Sequence, residues 1–236
     1  MIYVVIPTYN EAGNVERLVG EIRALDLGLR VLIVDDSSPD GTGAIVERLS
    51  REMSEVEIIH NPGKVGLGKA YIEGLKYVCD KGADAIVTMD ADFSHNPRYI
   101  PELLDGLRKA DVVIGSRHVP GAQLNYPWFR KTVSRLAVSL ARWLMGLRVR
   151  DSTSAFRCFN KEAIQFILER DIFSEGYVFL VEVLYLLHLN NFKIIEIPIV
   201  FEDRVLGESK MSAPREIVKG VRGLLRLRMR QVDSSK

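Results

Sequence analysis

The chain has 236 residues, a formal net charge of +1, 47% hydrophobic residues and 27% charged residues. This is the balance of a soluble globular protein and excludes a surface built throughout for nucleic acid. Two cysteines exclude a disulfide framework, and no apolar run reaches the roughly 18 residues that span a bilayer; Tyr177 to Leu189 comes nearest and carries Glu182.

In chain order, β-branched runs at residues 2–6, 30–34, 56–60, 84–89 and 111–115 predict buried strands. Amphipathic stretches near 13–25, 41–53, 68–80 and 98–109 predict helices between them. Pro97 and Pro101 suit the opening of the last of these, where a missing N–H is harmless. Beyond residue 118 the rhythm changes. Residues 127–147 read as helical, RDSTSAFRCF as an irregular passage, 160–170 and 177–190 as helices, and 193–201 as one strand. A basic helix closes the chain. The expected fold is α/β, a mostly parallel central sheet with helices on both faces. One domain is expected over 1–236, with a nucleotide-binding half (1–118), a second half (119–236) and no transmembrane domain. With no N-terminal run of signal type, a cytoplasmic location is expected, and Cys79 and Cys158 should be buried.

In open sheets of this kind ligands bind beyond the carboxyl ends of the strands, so the residues there carry the functional reading. They are PTYNE (7–11), DDSSPDGT (35–42), NPGKVGLGK (61–69), DADFSHNP (90–97) and SRHVPG (116–121). Asp90 and Asp92 can converge on a divalent ion, because Mg²⁺ takes one or two carboxylates and completes its shell with phosphate oxygens and water. Asp36 can accept from base or ribose donors, while Ser38-Pro39-Asp40-Gly41 supplies turn chemistry. GKVGLGKA (63–70) differs by one letter from a nucleoside triphosphate loop. Ala70 stands where that loop needs a hydroxyl for Mg²⁺, so the glycines read as sites of close backbone approach instead. The four histidines show no metal spacing, and His95 reads as a loop hydrogen-bonding residue.

VVIPTYNEAGNV, VDDSSPDGT, GLGKAYIEGL, MDADFSHNP, GSR, STSAFR and EDRVLGESKMS, in this order, resemble the polyprenol-phosphate (dolichyl-phosphate) mannosyltransferases of glycosyltransferase family 2. The resemblance spans essentially the whole chain. It implies a GT-A fold that moves mannose from GDP-mannose to a polyprenyl or dolichyl phosphate with inversion. By motif it places Pro7, Tyr9, Glu11 and Asp36 on the guanosine and Asp90, Ala91 and Asp92 on sugar and metal. Arg117 falls on the sugar-diphosphate and acceptor-phosphate region, and Arg130, Ser134, Arg204 and Lys210 fall among the phosphate contacts. The metal would be Mg²⁺ or Mn²⁺, held by Asp92 and Asp90. Some members carry a Gln ligand where Ser94 stands, and serine reaches less far. Members consisting of the soluble domain alone depend on small transmembrane partner subunits. Transfer of a hexose from a UDP-sugar, or a non-catalytic nucleotide-sugar-binding subunit, are the alternatives.

A phosphate monoester acceptor is largely dianionic at neutral pH, with a second pKa of about 6, so the transfer needs no general base. It needs orientation and neutralised charge, the roles expected of Asp90, Asp92 and Arg117 as catalytic residues. The loop at 202–212 is expected to close over the nucleotide. In RKTVSRLAVSLARWLMGLRVR (130–150), Val133, Leu136, Leu140, Trp143 and Leu144 recur at helical spacing among arginines, and the closing helix repeats the pattern. Basic amphipathic helices of this kind lie in a headgroup interface, which predicts a protein peripheral on the cytoplasmic face of a membrane.

Overall fold

The computed structural model describes residues 1–125, 138–139, 141–202 and 222–229. The chain opens with β1 (Ile2–Thr8), α1 (Val15–Arg23), β2 (Arg30–Asp35), α2 (Thr42–Glu52), β3 (Val56–His60), α3 (Leu67–Asp80) and β4 (Ala85–Thr88). After a 3-10 turn at Pro97–Tyr99 come α4 (Ile100–Gly106), β5 (Val112–Ser116) and β6 (Gln123–Asn125). The second half supplies β7 (Arg157–Asn160), α5 (Lys161–Leu168), α6 (Gly176–Leu189), β8 (Ile194–Pro198) and β9 (Val200–Glu202). Residues 141–145 and 222–229 are also helical.

The main sheet runs β3-β2-β1-β4-β7-β5-β8, and β6 pairs with β9 in a small second sheet. Every pairing is parallel except those of β7, which is antiparallel to both β4 and β5. The sheet is therefore mostly parallel, as the alternating runs predicted, but two expectations change. The passage read as irregular contains β7. The run read as one strand over 193–201 is β8 and β9, divided at Ile199, whose N–H bonds to Ser116 and whose carbonyl accepts from Gln123.

Both faces of the sheet are covered, which is why the strands are apolar throughout. Along β1, Val4 and Ile6 join the core beneath α1, α2 and α4, while Tyr3 and Val5 join the core beneath α3, α5 and α6. In α1, Val15, Leu18, Val19 and Ile22 are the buried residues, one stripe of a 3.6-residue period. Helix α3 approaches the sheet closely because of Gly74, where a Cβ would stand 2.6 Å from Val5 Cγ1 and 2.9 Å from Val34 Cγ2. Pro97 and Pro101 sit in opening turns as expected, and Asn96 caps the first by accepting from the Arg98 N–H at 3.0 Å. Cys158 is buried and burial pushes its thiol up, whereas Cys79 is only half-buried; both are free.

The strand order reverses between β1 and β4, since β2 and β3 lie on one side of β1 and the rest on the other. Loops leaving two neighbouring strands in opposite directions open a crevice at their carboxyl ends. Because β7 is antiparallel, with Arg157 opposite Thr88, the chain entering it, residues 151–156, reaches that same edge.

Candidate active site

PTYNE leaves β1 and DADFSHNP leaves β4, so the reversal of strand order brings together the two motifs that the sequence kept some eighty positions apart. Ala91, Asp92, Ser94 and His95 are buried. The Asp90 side chain keeps 31% exposure, which makes it the carboxylate of the pair that faces the crevice. Phe93 adopts φ +62°, turning the chain so that the Ser94 N–H donates to Asp92 Oδ1 at 3.0 Å. The Asp90 N–H donates to His95 Nδ1 at 3.2 Å, which places the imidazole proton on Nε2. His95 is stacked on Phe156 and meets Phe201 edge-on. It is thus the loop hydrogen-bonding residue the sequence suggested.

Three non-glycine residues with positive φ follow strands at this edge: Asn10 after β1, Ser37 after β2 and Phe93 after β4. Such strain persists where surrounding bonds over-determine it and concentrates at binding sites. The surrounding bonds are visible for the first two. The Asn10 N–H donates to Ser38 Oγ, the Glu11 N–H to Thr42 Oγ1 and the Ala12 N–H to Asp40 Oδ2, each at 2.9 Å. The turn SSPDGT therefore does more than reverse the chain, for it clamps the loop that carries Tyr9 and Glu11. Burial would raise the Asp40 carboxyl, but hydrogen bonds from Thr42 and Ala12 outweigh it and the net displacement is downward.

Asp35 and Asp36 divide their work. Asp35 is buried and accepts from Thr8 Oγ1 and from Ser38 N and Oγ, a structural role. Asp36 is also buried and holds the glycine loop, accepting from Asn61 Nδ2 at 2.7 Å and from the Gly66 N–H at 2.9 Å. Each of its oxygens has a second lone pair for a ligand. Lys64, from the same loop, lies over the Tyr9 ring with Nζ 3.6 Å from the centroid. Pro7 lies half-buried in register with Val34, and Glu11 Oε2 accepts from Asn14 at 2.8 Å.

Arg117 is placed at this edge, but paired. Its Nε and Nη2 donate to Asp151 Oδ2 and Oδ1 at 2.8 Å each, its backbone N–H to Oδ2 at 2.9 Å, and Nη2 also to Thr153 Oγ1 at 2.8 Å. The guanidinium lies over Phe201 at 4.9 Å. Burial would raise the Asp151 carboxyl, but Arg117 holds it far below the usual carboxylate range. Arg117 is therefore a cation whose charge is offset by a buried partner, a pairing its motif letters did not announce. Arg130, Ser134, Arg204 and Lys210 lie outside the described residues, as does most of the loop at 202–212.

Sequence reasoning missed Asp151, Arg157 and Tyr71. Arg157 is buried and satisfies backbone carbonyls of Ser154, Leu180 and Ser152 at 2.7, 2.9 and 2.9 Å. Burial pulls its guanidinium down to about 9, with Asp151 and Tyr71 opposing, so it remains a cation at neutral pH. Burial, with the charges of Asp90 and Asp92 adding and Arg157 opposing, holds the Tyr71 phenol well above its ordinary range. The signal was present in STSAFR and GLGKAY, but only as motif letters.

Asp90, Asp92 and Ser94 form a set of hard oxygen donors, which suits Mg²⁺ or Mn²⁺. Among the described residues no three His, Cys, Asp or Glu side chains form a closed metal cage. Oxygen donors of this type suit an ion that completes its shell with ligands other than protein side chains.

A profile described as glycosyl transferase family 2 matches residues 3–171. The chain belongs to glycosyltransferase family 2. Polyprenol monophosphomannose synthase of Mycolicibacterium smegmatis is 39% identical over 212 residues, 89% of this chain and 80% of that protein. Undecaprenyl-phosphate mannosyltransferase of Micrococcus luteus is 41% identical over 209 residues, 88% and 86% of the two chains. Among solved structures, glucosyl-3-phosphoglycerate synthase from Mycobacterium tuberculosis with Mn²⁺, uridine diphosphate and phosphoglyceric acid superposes with a TM-score of 0.70. It is 18% identical, and the match covers 97% of this chain and 78% of that one. The same enzyme with Mg²⁺ and uridine diphosphate gives a TM-score of 0.68 at 18% identity, covering 96% and 79%. That likeness shows the GT-A fold. This family 2 protein is accordingly a glycosyltransferase, with a mostly parallel GT-A sheet.

Proposed function

We propose that this family 2 enzyme transfers mannose from GDP-mannose to the phosphate of a polyprenol such as dolichol, with inversion at the anomeric carbon. The observation that carries the reading is identity of 39% and 41%, over 89% and 88% of this chain, with relatives named polyprenol monophosphomannose synthase and undecaprenyl-phosphate mannosyltransferase. The site agrees with an acceptor that needs no base, since His95 beside the carboxylate pair uses Nδ1 to accept the Asp90 N–H.

In this reading Tyr9, Pro7 and Glu11 at the end of β1, with Asp36 at the end of β2, receive the nucleoside, the carboxylate accepting from base or ribose donors. Asp92 and Asp90, with Ser94, would hold a divalent ion, which supplies Lewis-acid stabilisation of the leaving diphosphate. Asp90 and Ala91 border the sugar. Arg117, locked to Asp151, orients the loop after β5, and its guanidinium edge not bonded to Asp151 faces phosphate groups as part of a neutral pair. The larger share of phosphate charge falls to Arg130, Arg204 and Lys210, with the Ser134 hydroxyl as a neutral hydrogen-bond donor. Catalysis is then positional and electrostatic.

The acceptor is a lipid, and the second half of the chain supports contact with a membrane surface. No helix among the described residues is long and apolar enough to cross a membrane. Residues 141–149 and 222–229 both bury side chains in the core beneath α3, α5 and α6, through Ala141, Met145, Leu224 and Leu227. Trp143, Leu225 and Met229 instead face outward, 78%, 46% and 62% exposed, and Arg222, Arg226 and Arg228 on the closing helix are exposed as well.

The test is incubation with dolichyl phosphate, Mg²⁺ or Mn²⁺ and a panel of nucleotide sugars. A lipid-linked sugar formed with GDP-mannose is expected, and turnover with UDP-glucose alone would overturn the reading. Asp92→Asn is expected to lower turnover at least about a hundredfold, the scale for losing a group aimed at developing charge.

A further inference from the structure

The segment Gly66 to Tyr71 is not a triphosphate loop, and its spacing has a different explanation in the structure. Gly66, at φ +92°, is tied by its N–H to Asp36. Gly68 presents bare backbone to Phe179, where a Cβ would stand 3.0 Å from Cδ2. Tyr71, one turn further along α3, lies parallel to the same Phe179 ring, with centroids 6.1 Å apart and planes 6° apart. The phenol is thereby fixed in place by the helix on one side and the stacked ring on the other.

What the hydroxyl does is the open question. It is buried and has no hydrogen-bond partner among the described residues. A buried hydroxyl left in that state is destabilising, and such groups in native proteins commonly have a task. Its neighbours do not meet that need: Arg157 has no acceptor and donates to three carbonyls, and Thr88 Oγ1, which donates to the Ala155 carbonyl, makes no bond with the phenol. The cavity beside the ring, bordered by Leu75, Thr88, Arg157 and Phe179, has about 10 Å³. That is at the lower limit for one water, so water is not a ready partner. The acceptor that acts on it is Asp90, two residues beyond Thr88, through its charge and through the beginning of a hydrogen bond, although no bond of full geometry joins the pair.

We propose that Tyr71 is a positioning residue for Asp90: its clamped phenol donates to the carboxylate when the donor site is loaded and fixes that side chain toward the ligand. The proposal rests on Asp90 serving the donor site. It also joins the two ends of that site, since one segment is tied to Asp36 at Gly66 and reaches Asp90 at Tyr71.

The test is a pair of measurements on the full chain, GDP binding with Mn²⁺ by calorimetry and thermal midpoint. UDP replaces GDP if the donor panel selects it. Tyr71→Phe keeps the ring stack and removes the orphaned hydroxyl, so the midpoint should hold or rise. Nucleotide affinity should fall about ten- to a hundredfold, the scale of one hydrogen bond to a charged group. In an Asp90→Asn background the same change should cost nothing further. Unchanged affinity in Tyr71→Phe, a midpoint that falls without loss of affinity, or losses that multiply in the double variant would each overturn the proposal. A wild-type protein that binds nucleotide with Mn²⁺ yet transfers no mannose would count against the mannosyl reading and leave the Tyr71 comparison intact.

Discussion

The pairing of Arg117 with Asp151 shows what a motif letter leaves out. The resemblance places Arg117 in the phosphate region, and nothing local announces a partner 34 positions away. The partner is buried and bidentate, and removing one member of such a pair leaves an uncompensated charge. Asp151→Asn is therefore expected to lower unfolding free energy by about 3–5 kcal/mol in urea titration. The same group shapes the acid response. Its folded pKa lies below the unfolded value of about 3.9, so its stabilisation is complete above that pH and is lost as pH falls toward the folded value. Unfolding midpoints measured from pH 6 downward should fall below about pH 4, and Asp151→Asn should flatten that part of the curve. Asp90 and Asp92 were legible as a pair from their letters. Which of them faces the crevice was not, since that depends on the turn at Phe93 and the bond from Ser94 to Asp92.

Among the elements, α3 carries the most information. Its apolar stripe predicted a helix over nearly the observed residues, but the stripe does not reveal how close the helix lies to the sheet. Gly74 sets that distance, and Gly74→Ala would drive a methyl into Val5 and Val34. The expected cost is about 1–3 kcal/mol of stability, with Tm falling and the helix retained by circular dichroism. An unchanged Tm would show that the helix can retreat. Strand β7 was missed because its four residues are too short for a periodic signal and follow a polar passage. It forms through its neighbours, with β4 and β5 each offering an unpaired edge to the segment between them. The SSPDGT turn was legible as a turn. Its three bonds to the loop after β1 were not, because turn chemistry is local and the clamp is not.

For the whole molecule, the amphipathic reading of the two basic segments needs division. The hydrophobic pattern assigned Trp143 to the same face as its apolar neighbours, yet Ala141 and Met145 turn into the core while Trp143 points away. Likewise Leu224 and Leu227 pack inward and Leu225 and Met229 do not. Exposed aromatic and aliphatic side chains beside arginines suit a headgroup interface better than water alone. The triple variant Trp143→Ser, Leu225→Ser, Met229→Ser is expected to lose most cosedimentation with anionic vesicles at low salt and to keep its Tm. Retained cosedimentation would assign binding to charge alone.

The alternation of apolar runs and amphipathic helices determined by itself that a parallel, two-faced sheet forms, because burial on both faces leaves a composition that needs no partner to be read. The strand-end motifs likewise determined where ligands should be sought and which residue types await them. Only the tertiary structure decided the strand order, with its reversal between β1 and β4 and the antiparallel β7 that carries residues 151–156 to the same edge. It also decided that Arg117 is neutralised, that Asp36 holds a loop and that the Tyr71 hydroxyl is buried without a bonded partner among the described residues. These are contacts between residues distant in the chain. Local propensity and periodicity carry no term for them, since their energy exists only once the sheet has brought the partners together.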